Sequence, residues 1–165
     1  MTSEHLLHTI PPIYDGNSKI LILGSFPSVK SREVSFYYGH PQNRFWRVLA
    51  AVLGCAVPSS REEKTALLQS HNIALWDVIK SCDIVGSSDS SIKNVVPNDI
   101  GAILSSCGIR QIYSNGKTSE RLFNKYIKDT VGRDTVALPS TSPANASYNL
   151  ERLTDSWSVI KNNIR

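Results

Sequence analysis

Residues 19–28 read KILILGSFPS. Five residues, four of them apolar, run without alternation and stop at Gly24. A run of this kind suits a strand covered on both faces, as in a parallel sheet. Three further segments read the same way. Ile73 to Val78 (IALWDV) follows a helical stretch, Gln111 to Ser114 (QIYS) ends at Asn115-Gly116, and Thr135 to Leu138 (TVAL) ends at Pro139.

Helical patterns lie between these runs. Phe45, Val48, Leu49 and Val52 share one helix face, and Gly54 follows as a stop signal. Ser59 or Ser60 precedes REEKTALLQS with Glu62 and Glu63 behind it, which fits a capping box. Residues 100–106 and 119–127 are further candidates, and Leu150, Leu153, Trp157, Ile160 and Ile164 mark a last helix. Strands alternating with helices predict a three-layer α/β/α sandwich around a mostly parallel sheet of four to five strands, with residues 1–165 as a single domain. Ligands of such sheets bind beyond the carboxyl ends of the strands. Those ends are GSFPS (24–28), WD (76–77), NG (115–116) and PSTSPAN (139–145), each rich in small, polar or turn-forming residues.

The first strand end leads into YYGHPQNRFW (37–46). Five aromatic residues fall between Phe36 and Trp46, in a chain holding three Trp, six Tyr and four Phe. Phe45 belongs to the helix core, and Trp46 packs under the loop. Tyr37 and Tyr38 are unexplained by that helix, and one of them can stack on a flat ligand. Asn43 reads either as a helix N-cap or as an amide held in a pocket, able to orient a water. Asn115 is an Asn-Gly turn or a reader of a base edge. Asp77 is a cap or ion-pair partner, a water activator, or a base-edge acceptor. PSTSPANAS (139–147) is an ordinary connection or a stiff loop whose hydroxyls and N–H groups hold phosphate.

Composition limits the alternatives. The net charge is +4, a mild basic excess that permits nucleic-acid binding without establishing it. Three cysteines, Cys55, Cys82 and Cys107, form no CxxC pair, so a disulfide framework or four-cysteine metal site is not expected. Free thiols suit a reducing cytoplasm. The first residues carry no secretory signal, and no run approaches the ~20 apolar residues of a membrane span. Gly116-Lys117-Thr118 has the tail of a phosphate-binding P-loop, but Gln111 stands where the motif needs glycine. No GxSxG elbow is present, and the four histidines have no ligand spacing, so neither metal nor cofactor is expected.

GSFPS…YYGHPQNRFW (24–46) and LPSTSPANAS (138–147) together resemble two motifs of the uracil-DNA glycosylase superfamily. The first is similar to the mismatch-specific uracil-DNA glycosylases, whose catalytic asparagine lies at a position occupied here by Phe26. With IALWDV, GSxDxxI (86–92) and a strand ending in NG, the set more closely resembles the hypoxanthine-DNA (deoxyinosine) glycosylases, over residues 18 to 160. The resemblance implies a monofunctional enzyme, cytoplasmic or nucleoid-associated. Acting as a monomer without a cofactor, it would hydrolyse the glycosidic bond of a flipped-out hypoxanthine or uracil in DNA.

The resemblance also implies roles for residues. Asn43 becomes the catalytic candidate, with Asp77 as runner-up. Gly24, Ser25, Phe26, Tyr38, Trp76, Asp77 and Asn115 would surround the base, with Tyr38 stacking on it. Ser28, Lys30, Arg44, Ser140, Thr141, Ser142, Pro143, Ala144 and Asn145 would contact DNA, Lys30 and Arg44 as phosphate cations. Residues 86–92 are expected to form a structured loop. A nucleobase or nucleotide binder on the same fold is the competing class; it would not explain the second phosphate-holding loop.

Overall fold

The computed structural model describes residues 2–165. The chain runs β1 (Glu4–Leu7), β2 (Ile20–Gly24), α1 (Val29–Val34), α2 (Phe45–Leu53), α3 (Arg61–Ser70), β3 (Ile73–Asp77), β4 (Ile79–Ile84) and β5 (Lys93–Pro97). It continues through α4 (Ile100–Ser106), β6 (Gln111–Asn115), α5 (Lys117–Tyr126), α6 (Lys128–Val131), β7 (Thr135–Leu138) and α7 (Leu150–Trp157).

The four strands read from the sequence form one sheet in the order β3-β2-β6-β7, and every pairing in it is parallel. β2 is central and all five of its residues are buried. Alternation sends Ile20 and Ile22 into one core with Phe45, Val48, Leu49, Leu153 and Trp157. Leu21 and Leu23 enter the other with Ile103, Ile112, Leu122 and Phe123. Helices α2 and α7 cover the first face, and α4 and α5 cover the second.

A second sheet, β1-β4-β5, is antiparallel throughout and corrects the expectation of one mostly parallel sheet. Only Val78 separates β3 from β4, so no crossover helix intervenes. β4 turns Ile79, Cys82 and Ile84 into the second core. Its polar residues Lys80, Ser81 and Asp83 break the apolar run that marks the other strands. β1 and β5 leave most residues exposed or half-exposed, so their sequences lack a core signal.

The predicted helices stand, with shifted ends. Ser60 Oγ accepts from the Glu63 N–H at 3.0 Å and caps α3. The last helix is α-helical to Trp157 and 3-10 from Ser158 to Asn163, with Ile160 still in the core. Residues 89–91 of the expected loop form a 3-10 turn. Among the described residues, no helix is long and apolar enough to cross a membrane.

Candidate active site

The ends of β2, β3, β6 and β7 enclose a cavity of about 410 Å³. Most of the expected residues reach it: Gly24, Ser25, Phe26, Ser28, Tyr38, Asn43, Asp77, Asn115, Ser140, Thr141, Ser142 and Ala144 all line it. Trp76, Lys30, Arg44, Pro143 and Asn145 do not.

Asn43 precedes α2, and its side-chain oxygen accepts from the Phe45 N–H at 2.9 Å. The same oxygen accepts from the Thr141 hydroxyl at 2.9 Å. Both its lone-pair directions are thus used, and the orientation cannot reverse, because Phe45 N–H demands an acceptor. The NH2 is the group left for the cavity. The sequence-based expectation of an amide that both accepts from and donates to water is narrowed to donation.

Thr141 is fully buried and joins two amides. Its hydroxyl accepts from Asn115 Nδ2 at 3.0 Å while donating to Asn43, and its N–H donates to Asn115 Oδ1 at 3.1 Å. Two expected roles change as a result. Thr141 has no surface with which to meet a phosphate, and the Asn115 amide, oriented at both ends by Thr141, has one Nδ2–H left for the cavity it lines. The approach behind this junction requires glycine at 116, where φ is 96° and a Cβ would lie 3.0 Å from Ser140 Cβ.

Tyr38 lies flat against Phe45, with ring centroids 4.1 Å apart and planes 19° from parallel. Its φ of 53° is left-handed, a costly geometry for a tyrosine that turns the ring into the site. Its hydroxyl is buried without a hydrogen-bond partner among the described residues. Burial, and after it the charge of Asp77, push this hydroxyl far above its ordinary range, so it remains a proton donor.

Asp77 ends β3 with its side chain 6% exposed. Its Oδ2 accepts from His8 Nε2 at 2.7 Å, and the His8 side chain is 1% exposed. A Cβ at Gly24 would collide with Asp77 Oδ1 and sit 3.1 Å from the Tyr38 hydroxyl. Gly24 is therefore needed for close approach, not for a turn. Trp76, one residue earlier on the strand, points to the opposite side and leaves the cavity wall to Asp77.

The PSTSPAN loop is self-supported. Ser140 Oγ accepts from Ser142 N–H at 3.1 Å, and Ser142 Oγ accepts from Ala144 N–H at 3.2 Å. These hydroxyls keep their protons for an outside acceptor. Asn145 Nδ2 donates to the Ser140 carbonyl at 3.0 Å and so braces the loop, while Pro143 and Ala144 are exposed at its tip. Arg44 binds the loop rather than presenting a free cation. It donates to the carbonyls of Ser142 at 2.8 Å and Asn145 at 3.1 Å, and to that of Tyr148. Lys30 stands outside, 3.5 Å from Glu33. Ser28 caps α1 and commits its hydroxyl proton to Ser31 Oγ at 3.1 Å.

Three contributions were not read from the sequence. Ser87, Ser88 and Asp89 add to the cavity wall. Lys117 and Thr118, from the rejected GKT tail, reach the rim at the start of α5. His8 arrives from the end of β1, whose pairing no apolar pattern announced. A lone histidine in an exposed segment carries no spacing signal.

The family model described as the uracil DNA glycosylase superfamily matches residues 11–162. The chain belongs to the uracil DNA glycosylase superfamily. It is therefore a DNA glycosylase, an enzyme whose substrate is DNA. A protein named hypoxanthine DNA glycosylase from Methanosarcina acetivorans is 34% identical over 152 residues, 91% of this chain and 94% of that one. One of the same name from Methanosarcina barkeri is 35% identical over 137 residues, 82% and 85% of the two chains. The solution NMR structure of a candidate uracil DNA glycosylase from Methanosarcina acetivorans superposes with a TM-score of 0.79 at 33% identity, covering 92% of this chain and 94% of that one. The cavity described above lies at the carboxyl ends of the parallel strands.

Proposed function

We propose that this glycosylase hydrolyses the N-glycosidic bond of a deaminated base flipped out of duplex DNA. Hypoxanthine is its first substrate, with uracil, including uracil opposite guanine, a second. The reading rests on one observation: the Asn43 amide, locked with its oxygen inward, presents its NH2 to a cavity floored by Gly24 and walled by Tyr38 and Asp77. The names of the two Methanosarcina relatives support hypoxanthine.

A wobble pair lowers the cost of flipping, which favours a deaminated base before any contact is made. Phe45 covers one face of the Tyr38 ring, so the base meets Tyr38 by its edge, at the hydroxyl, with its carbonyl also near the backbone at Ser25 and Phe26. Asp77 meets its edge, and Asn115, oriented by Thr141, keeps one N–H for the base. Ser140, Ser142 and the tip at Pro143 and Ala144 hold the backbone and the vacated space. The C1′–N9 bond breaks with its electron pair leaving on the base, through an oxocarbenium-like sugar. A water held by the Asn43 NH2 attacks C1′ and loses its proton to bulk solvent. Asn43 is neutral and contributes by positioning, which suffices for a good leaving group. Asp77 is the weaker candidate for water activation, since one oxygen is tied to His8 and the other faces the edge of the base. We take the enzyme to act as a monomeric single domain in the cytoplasm, without a cofactor.

Duplexes carrying uracil, hypoxanthine, xanthine or thymine opposite G, C or T, scored for abasic sites after alkali, test the assignment. Asn43→Ala is expected to lower single-turnover release by about 100-fold or more, the scale of losing one positioned group. Asn43→Asp keeps a share, because one carboxylate oxygen still accepts from Phe45 N–H and Thr141. Unchanged release by the alanine variant sinks the role of Asn43. Among the described residues, Lys117 is the one lysine on the cavity wall, so borohydride trapping tests lyase chemistry directly. No trapped adduct is expected.

A further inference from the structure

We infer that His8 is a positioning residue for substrate selection: it fixes Asp77 so that Asp77 and the Tyr38 hydroxyl form an acceptor–donor pair matched to a deaminated base. The inference rests on the proposed function for its substrate and adds a residue to the site. It stands on four observations. The His8 and Asp77 side chains are almost wholly buried and 2.7 Å apart. A carboxylate only accepts, so His8 Nε2 carries the proton in this contact. Asp77 Oδ1 has no protein donor among the described residues and lies over Gly24, on the cavity floor. The Tyr38 hydroxyl, buried and unpartnered among those residues, lies beside it.

Deamination changes hydrogen-bond polarity and little else. Adenine presents an amine donor and a bare N1 acceptor. Hypoxanthine presents a 6-oxo acceptor and an N1–H donor. Uracil shows the same order at O4 and N3–H, where cytosine shows the reverse. An ionised Asp77 accepts from N1–H, and Tyr38 donates to the oxo group. Adenine would set its N1 lone pair against a carboxylate, with both groups desolvated and unpaired. His8 makes the arrangement stable, because its N–H occupies one carboxylate oxygen and holds the other in a fixed direction towards the cavity. Phe26 closes the back of the imidazole edge-on, with ring centroids 6.0 Å apart.

The test uses the full chain and free bases, followed by NMR titration of backbone amides, so it does not depend on turnover. The probes are hypoxanthine, adenine and 1-deazahypoxanthine, which replaces N1–H by C–H without changing shape. The wild type is expected to prefer hypoxanthine over either other base by about tenfold or more, the scale of one hydrogen bond to a charged group. His8→Gln keeps an N–H at the same reach and keeps the preference. His8→Leu loses it, with the three bases binding within about threefold of each other. A leucine variant that discriminates as the wild type does overturns the proposal, as does a wild type indifferent to N1–H.

Asp77→Asn carries the test should His8→Leu fail to fold. With His8 intact, its N–H must face the amide oxygen, so the NH2 turns to the cavity. Preference should then move to adenine. Persistence of the hypoxanthine preference in Asp77→Asn also overturns the proposal. Failure of the wild type to excise hypoxanthine from duplexes would count against the proposed function alone, because base selection is read separately.

Discussion

At the scale of single residues, the site depends on where a few protons point. Thr141 has one hydroxyl proton and gives it to Asn43, while its oxygen takes one from Asn115. Thr141→Val preserves shape but strands both amides, so it is expected to cost about 1–3 kcal/mol of stability by denaturant titration. Excision should fall by about tenfold or more as Asn43 keeps only one of its two anchors, the Phe45 N–H. Thr141→Ser should recover most of both, which a purely steric role for the methyl group would not allow. Gly24→Ala makes a different demand: the new methyl group collides with an Asp77 oxygen that cannot retreat, since its neighbour is tied to His8. Hypoxanthine affinity in the NMR titration should drop more steeply than thermal stability does. Asn43, Asp77 and Tyr38 were legible in the sequence because polar or aromatic residues at strand ends need a reason to be there. Thr141 was legible only as a hydroxyl among others. Which of three hydroxyls in one loop turns inward is decided by Asn115 across the sheet, and no local pattern carries that.

At the scale of elements, the PSTSPAN loop and the start of α2 behave as one piece. Arg44 sits at the head of α2 and reaches three carbonyls of the loop and the segment behind it. The sequence showed a cation beside the proposed catalytic Asn43, and phosphate was the natural partner. The structure gives the guanidinium a different task, which a single measurement separates from the first. Were Arg44 bound to a phosphate, removing its charge would flatten the salt slope of DNA binding by about 0.9 in log K against log salt. Arg44→Met is instead expected to weaken binding several-fold at every salt concentration with the slope unchanged, because the loop loses order and the DNA interface keeps its charge. Arg44→Lys should not restore it, since an ammonium cannot span carbonyls placed for a planar fork.

At the scale of the whole molecule, the parallel sheet was legible because its strands are buried on both faces and read as apolar runs. The antiparallel sheet was not, because its outer strands are largely exposed and lysine, serine and aspartate interrupt the apolar run of its middle strand. Yet this sheet delivers His8, held at the end of β1 by the Lys80 carbonyl at 2.7 Å. Removal of residues 1–9 should leave the β3-β2-β6-β7 sheet cooperative, with a modest loss in melting temperature. Discrimination between hypoxanthine and adenine should disappear with the segment. Far-ultraviolet circular dichroism and the NMR titration together check both halves of that expectation.

The linked amides also constrain descent. Asn43 can become aspartate in one step, because a carboxylate still satisfies both donors that point at it. Asn115 cannot follow the same route. An aspartate there would ask Thr141 for the proton that Asn43 already holds, and one hydrogen cannot serve two acceptors. Position 115 can therefore give up its amide donor only once position 141, or the acceptor at position 43, has changed.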